Sequence, residues 1–213
     1  MVAAASAADY GTAAEHGWAA YELTATELGA AAALCDLSEL MRLSGRPKLA
    51  LRGFAAALLR ISAAPRRLLP ALGGAAMTAA EALPSDAAAP LVASYARQIE
   101  KTIDETTLPY PHASALADLG DAWAILGDAE ACRAARARAG EIAESHGFFE
   151  LLYRVTEGAR PVRAAAASGA SPAGEPSPMA SAEHILQSIA GFTAPAEVEL
   201  ALASAGAVKP AMD

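Results

Sequence analysis

The residues of this chain that could catalyse a reaction or hold a metal ion are few and widely spaced. The chain has four histidines, no two of them four residues apart, the spacing that puts two ligands on one face of a helix: His16, His112, His146 and His184. Cys35 and Cys132 form no CxxC pair. The sequence contains no G-x-S-x-G, no G-x-G-x-x-G and no Walker A loop. We therefore expect no metal site, no cofactor and no enzymatic activity.

Two pairs of carboxylates are spaced so that both members share one face of a helix. Asp118 and Asp121 form one pair, and Glu141 and Glu144 form the other. Paired carboxylates can act as general acid and general base. On an alanine-rich amphipathic helix, such pairs usually belong to the solvated face. We expect that role for both pairs.

Charge is distributed unevenly along the chain, whose net charge is −8. Residues 1–41 carry six acidic and no basic side chains, whereas residues 42–67 carry seven basic and no acidic ones. An acidic chain is a poor match for general nucleic-acid binding, and no apolar stretch is long enough to predict a membrane span. We expect the basic block to pair with neighbouring acidic helices or to be solvated. The alternative is a basic patch that docks an acidic partner, formed by Arg46, Lys48, Arg52, Arg60, Arg66 and Arg67.

Composition and periodicity predict an all-α fold. The chain has 60 alanines and only 5% aromatic residues, and alanine is the strongest helix former but offers little side chain to pack. We therefore expect helices in close approach, with Gly73–Gly74 at a helix crossing. Residues 106–112 are expected to form a loop. Helices are expected over residues 10–28, 30–44, 47–62, 66–83, 87–105, 112–126, 129–146, 148–158, 181–189 and 196–205.

Two stretches that lie 82 residues apart share one pattern of helix, glycine turn and helix. In each, large apolar residues stand three or four apart, a glycine closes the first helix, and small residues follow in the second. The first stretch contains Leu34, Leu37, Ser38, Met41, Gly45, Arg46, Ala50, Phe54 and Ala57. The second contains Leu116, Leu119, Gly120, Trp123, Gly127, Asp128, Cys132, Arg136 and Ala139.

This pattern resembles the tetratricopeptide repeat, a helical hairpin that stacks into a short α-solenoid. The sequence departs from the family pattern at Ser38, where glycine is expected, and at Arg136, where an aromatic residue is expected. The 82-residue spacing implies two units of about 41 residues. Longer, degenerate units of this kind resemble those of bacterial transcriptional regulators and signal-transduction ATPases.

The resemblance implies that partners bind to the concave face, which the first helix of each hairpin lines. The residues that this assignment places there are Asp36, Glu39, Arg42, Ser114, Asp121 and Ile125. The resemblance also implies a non-catalytic, cytoplasmic scaffold or regulatory module that binds a protein or peptide. The alternatives are a small-molecule sensor with a pocket between hairpins, and a subunit that assembles with copies of itself.

The expected organisation has four parts. Residues 1–29 form an N-terminal helix on the stack, and residues 30–160 form the repeats. The stretch 161–180 is rich in alanine, proline, serine and glycine, a composition typical of a flexible linker. Residues 181–213 form a short helical extension, which is too small to fold alone.

Overall fold

The all-α fold is confirmed by the computed structural model, which describes residues 9–61, 65–103, 108–157 and 183–207. These residues form ten helices and no strand. The helices are α1 (Tyr10–Leu23), α2 (Glu27–Leu43), α3 (Pro47–Ile61), α4 (Pro65–Ala82), α5 (Ser85–Thr102), α6 (Pro109–Leu126), α7 (Ala129–His146), α8 (Phe149–Glu157), α9 (Glu183–Ala190) and α10 (Ala196–Ala207). Residues 1–8 and the whole of the expected linker, 161–180, lie outside the described residues.

Three helices end in the same glycine turn, and the sequence predicted each of these ends. Gly45, Gly127 and Gly147 have φ angles of 79°, 80° and 71°, in the left-handed region that glycine enters without a Cβ clash. In each turn, the next amide donates to a carbonyl five residues back, at 2.8 Å for Arg46 and 3.0 Å for Asp128. This hydrogen-bond pattern satisfies carbonyls that the helix end leaves free.

Several helix boundaries differ from the prediction, and the helix expected over 87–105 is α5, which runs from Ser85 to Thr102. The helix expected over 10–28 ends at Leu23, and α2 begins at Glu27 rather than after Gly29. The reason is local capping, because the Thr26 side chain accepts a hydrogen bond from the Gly29 amide at 3.1 Å. The loop expected over 106–112 is also wrong in part, since α6 starts at Pro109. Proline is tolerated in the first turn of a helix, because backbone N–H groups in that turn have no carbonyl partner within the helix.

The helices pack as a stack of consecutive pairs. Short turns join α2 to α3, α4 to α5, and α6 to α7, and the members of each pair are in contact. Between pairs, α3 packs on α4, and α4 packs on α6. Helix α1 covers α2 at one end, and α8 packs on α7 and α6 at the other. The main core runs between these layers and is built mostly from alanine and leucine.

The two stretches of matching sequence are buried at matching positions. In the first hairpin, the buried residues of the pattern are Leu34, Leu37, Met41, Ala50, Phe54 and Ala57. In the second, they are Leu116, Leu119, Cys132 and Ala139, with Trp123 half-buried. The sequence pattern therefore predicted the inner face of both hairpins.

Close helix approach occurs where the sequence predicted it. A Cβ atom on Gly73 would lie 2.9 Å from the Cα atom of Ala115, on α6. A Cβ atom on Gly74 would lie 2.8 Å from the Phe54 ring, on α3. Real Cβ atoms do not approach other atoms this closely, so a side chain at Gly73 would push the backbones of α4 and α6 apart, and one at Gly74 would displace the Phe54 ring. The paired glycines let α4 contact α3 and α6 at once.

The C-terminal helices lie on the stack, where they contact its first half. Helix α9 packs on α3 and α1, and α10 packs on α5 and α3. None of the helices in the described ranges combines the length and the hydropathy that crossing a bilayer requires.

Candidate functional site

A groove of about 690 Å³ runs along one face of the stack. Helices α2, α4, α6 and α8 supply most of its lining, and α3 adds Phe54 and Ile61. The apolar part of the lining includes Ala71, Gly74 and Met77 of α4. The remaining lining is dominated by acidic and arginine side chains, which determine what the groove can bind.

Four of the six residues expected on the concave face line this groove: Asp36, Glu39, Arg42 and Asp121. The other two, Ser114 and Ile125, do not belong to the lining. Both are on α6, and the Ile125 side chain is exposed. The six residues that the resemblance placed on the concave face belong to α2 and α6, and both helices supply lining residues, as do α4 and α8.

Arg42 lies at one end of the groove, where it links α2 to α4. Its guanidinium group donates to Glu39 at 2.5 and 3.0 Å and to Glu81 at 3.0 Å. The residue is only 9% exposed. Burial alone would lower the pKa of Arg42, but the hydrogen bond and the charge of Glu39 raise it above its ordinary value. The positive charge of Arg42 is therefore permanent and already neutralised within the protein.

Arg154 of α8 neutralises the two aspartates of α6. Its guanidinium group donates to Asp118 at 2.6 Å and to Asp121 at 2.6 and 3.1 Å. Arg136 of α7 donates to the second oxygen of Asp121 at 2.8 Å. Asp121 is 4% exposed, so its charge depends on these two arginines. The expectation of a solvated Asp118–Asp121 pair was wrong, because α8 folds over it.

Burial raises the pKa of Asp118 to about 6, although Arg154 acts in the opposite direction. Removing a carboxyl group from water costs more free energy when the group is ionised than when it is protonated. By contrast, Glu141 and Glu144 are exposed on α7, as expected for a solvated face.

The basic block does not lie on a single surface. Arg52 pairs with Glu199 of α10, and Arg60 lies 6.0 Å from the centre of the Phe192 ring. Arg46 and Lys48 flank the start of α3. Arg66 and Arg67, in the first turn of α4, line the groove.

Arg66 and Arg67 differ from the other arginines of the groove because, among the described residues, no carboxylate forms an ion pair with them. Both side chains are exposed. Neither forms an ion pair or a side-chain hydrogen bond within the part of the chain that the structure describes. Arg67 acts electrostatically on two other residues of the groove, because its charge lowers the pKa values of Cys35 and Asp36, which burial raises. Within the described part of the chain, this end of the groove therefore presents two guanidinium groups without an ion-pair partner.

The groove contains one thiol, on Cys35. Burial, followed by the charge of Asp36, raises the pKa of Cys35 to about 12. The thiolate is the nucleophilic form of cysteine, so this thiol is unreactive at neutral pH. Among the described residues, no three His, Cys, Asp or Glu side chains are grouped so that they could hold a metal ion.

Sequence reasoning missed the contribution of α8. Tyr153, Arg154 and Glu157 all line the groove, whereas the sequence indicated only a helix over residues 148–158. The one available signal was an arginine on a short, strongly amphipathic helix. Its partners are more than 30 residues away in sequence, so spacing alone could not identify them.

Comparison with known proteins finds no family model, no curated protein and no solved structure that matches this chain.

Proposed function

We propose that this protein is a non-catalytic interaction module that binds an acidic segment of a partner protein in the groove. The observation that carries the proposal is that Arg66 and Arg67 have no ion-pair partner among the described residues, in a groove whose other two arginines, Arg42 and Arg154, are neutralised. Guanidinium groups bind carboxylates through charge-assisted, often bidentate hydrogen bonds.

The apolar lining supports a peptide or a helix as the ligand. Phe54, Ala71 and Met77 line the groove beside the charged residues. Apolar side chains of a bound segment can pack there, while its carboxylates reach the two arginines. Peptide-binding grooves commonly combine an apolar surface with a few charged groups that fix the orientation of the ligand.

The tetratricopeptide resemblance supports the same proposal. The two matching hairpins share their glycine turns and their buried positions, and α2 and α6 both line the groove. In proteins of that family, partners usually bind to the face that the first helices form. We extend the proposal accordingly to a regulatory or scaffold role in the bacterial cytoplasm.

Selection from a random peptide library on the immobilised full chain tests the proposal. We expect the selected peptides to be rich in Asp and Glu and to bind more weakly as salt rises. The double variant Arg66→Glu/Arg67→Glu should weaken their binding at least about tenfold, the effect of losing roughly 1.4 kcal/mol. The matched control is Arg97→Glu/Arg133→Glu, which makes the same charge change at exposed positions outside the groove.

Equal weakening by both double variants would contradict the proposal, since a general charge effect would then explain the binding. Selected peptides without acidic residues would contradict it as well.

A small anionic molecule is the second candidate ligand, because the groove volume falls within the range of small-molecule pockets. Thermal melting in the presence of a panel of carboxylate and phosphate metabolites tests this candidate. A stabilisation that Arg66→Glu/Arg67→Glu abolishes would favour the small molecule over the peptide.

A further inference from the structure

The C-terminal helices α9 and α10, which we call the C-terminal pair, dock on the stack through a row of buried apolar side chains. Ile185 and Ile189 are fully buried, and Leu186 is 4% exposed. They pack in one cluster with residues of α1, α2 and α3: Ala14, Leu37, Met41 and Ala50. Val198 of α10 is buried in the main core.

An aromatic contact continues this row beyond α9. Phe192 lies 6.4 Å from Trp18 and 6.0 Å from Tyr21, measured between ring centres. The two α1 rings also contact each other at 5.1 Å. The buried residues of α9 thus stand at positions i, i+1 and i+4, a spacing typical of an amphipathic helix seated in a groove, and Phe192 follows in the turn after the helix.

One bidentate ion pair fixes the orientation of the C-terminal pair. Arg52 donates to the two carboxylate oxygens of Glu199 at 2.6 and 2.8 Å. The same guanidinium group donates to the Phe192 carbonyl at 3.0 Å. Glu199 also accepts a hydrogen bond from the Ala194 amide at 3.2 Å. Arg52 therefore recognises the turn between α9 and α10 as well as the acidic side chain.

The chain between the stack and the C-terminal pair is long. Helix α8 ends at Glu157 and α9 begins at Glu183, and the 25 residues between them can span about 80 Å when extended. The C-terminal pair contacts α1, α3 and α5, whereas α8 contacts α6 and α7. Its docking is therefore an encounter between parts of the chain that are distant in sequence.

We propose that the face formed by α1, α3 and α5 is a binding site for an amphipathic helical segment and that the C-terminal pair is its ligand in cis. The C-terminal pair of a second copy can replace the cis segment on this face. The same contacts form whichever copy supplies the segment, which is the condition for domain swapping. The tether keeps the cis segment at an effective concentration of about 1 mM. Exchange therefore becomes visible when the tether is cut or the protein is concentrated.

The test uses the full chain, with residues 168–174 replaced by the recognition sequence of a specific protease. The chain is folded, purified and then cut, and a fluorescent synthetic peptide of residues 183–207 is added. Fluorescence anisotropy reports peptide binding, and native mass spectrometry reports release of the original segment. We expect exchange in the cut protein, and an apparent affinity at least about 100-fold weaker in the uncut protein, where the tethered segment competes.

Two variant peptides make the test specific. Ile189→Ala removes a fully buried side chain, and we expect it to weaken binding at least about 30-fold. Leu200→Ala is the matched control, because the Leu200 side chain is 73% exposed. We expect its affinity to stay within about twofold of the unmodified peptide.

Three results would overturn the proposal. The cut segment could remain bound without exchanging after days at nanomolar concentration, or its release could abolish the cooperative melting of the stack. Either result would make the C-terminal pair an integral part of the core. Equal effects of Ile189→Ala and Leu200→Ala would show that the peptide binds without using the docked geometry.

Discussion

Replacing Asp118 by asparagine should change how the stability of this protein depends on pH. Asp118 lies under Arg154, and burial raises its pKa from 3.8 to about 6. The folded state therefore binds the Asp118 proton more tightly than the unfolded state does. The stability that this proton contributes is fully present below pH 3.8 and is lost as the pH rises through 6.

The size of this effect follows from the two pKa values. Linkage between a pKa of 3.8 in the unfolded chain and about 6 in the folded chain predicts a loss of about 1.4 kcal/mol between pH 5 and pH 7.5. Asparagine does not titrate, so Asp118→Asn lacks this loss. Relative to the unmodified protein, the variant should therefore gain about 1.4 kcal/mol over the same pH interval.

Urea denaturation, followed by tryptophan fluorescence at both pH values, measures the difference. Glu144→Gln is the control, because it makes the same change from carboxylate to amide at an exposed position of α7. A pH-independent difference between Asp118→Asn and the unmodified protein would refute the reasoning. Such a result would mean that Arg154 compensates fully for the burial of Asp118.

Two further predictions concern the packing around the groove. Gly73→Ala should lower the free energy of unfolding by about 2 kcal/mol, because the new Cβ atom would lie 2.9 Å from the Ala115 backbone. In Gly140→Ala, the new Cβ atom would make only an ordinary contact at 3.6 Å. This variant should instead raise the free energy of unfolding by about 0.5 kcal/mol through helix propensity. Equal losses for the two variants in thermal melting would count against the close approach of α4 and α6. Arg154→Ala should lower the free energy of unfolding by about 2 kcal/mol, because it leaves buried carboxylates with one partner fewer. Arg138→Ala breaks an ion pair that is largely exposed, so it should lower the free energy of unfolding by less than about 0.5 kcal/mol. Similar losses in urea denaturation would show that burial of the Arg154 pairs contributes nothing.

Some features of the site could be read from the sequence because they depend on nearby residues. The turns at Gly45 and Gly127 require a positive φ angle, which glycine adopts without strain. The inner faces of both hairpins follow from apolar residues at helical spacing. The tetratricopeptide resemblance implied that Asp36 and Glu39 share one face of α2, and both line the groove. Whether these two residues bind a partner remains a prediction.

Other features depend on which helices meet. The burial of Asp121 was missed because it requires α8 to fold back over α6. The sequence also did not reveal that the basic residues of 42–67 are distributed over several surfaces, for the same reason. Arg52 finds its acidic partner 147 residues away, while Arg66 and Arg67 find none among the described residues.

The sequence by itself determined the fold class, most helix boundaries and the glycine turns, because backbone conformation responds to side chains within a few residues. Only the tertiary structure decided which charges are neutralised and which stay available, and where the C-terminal pair docks. The physical reason is that pairing and desolvation depend on distances through space. In this protein, most of those distances join helices that lie far apart in the chain.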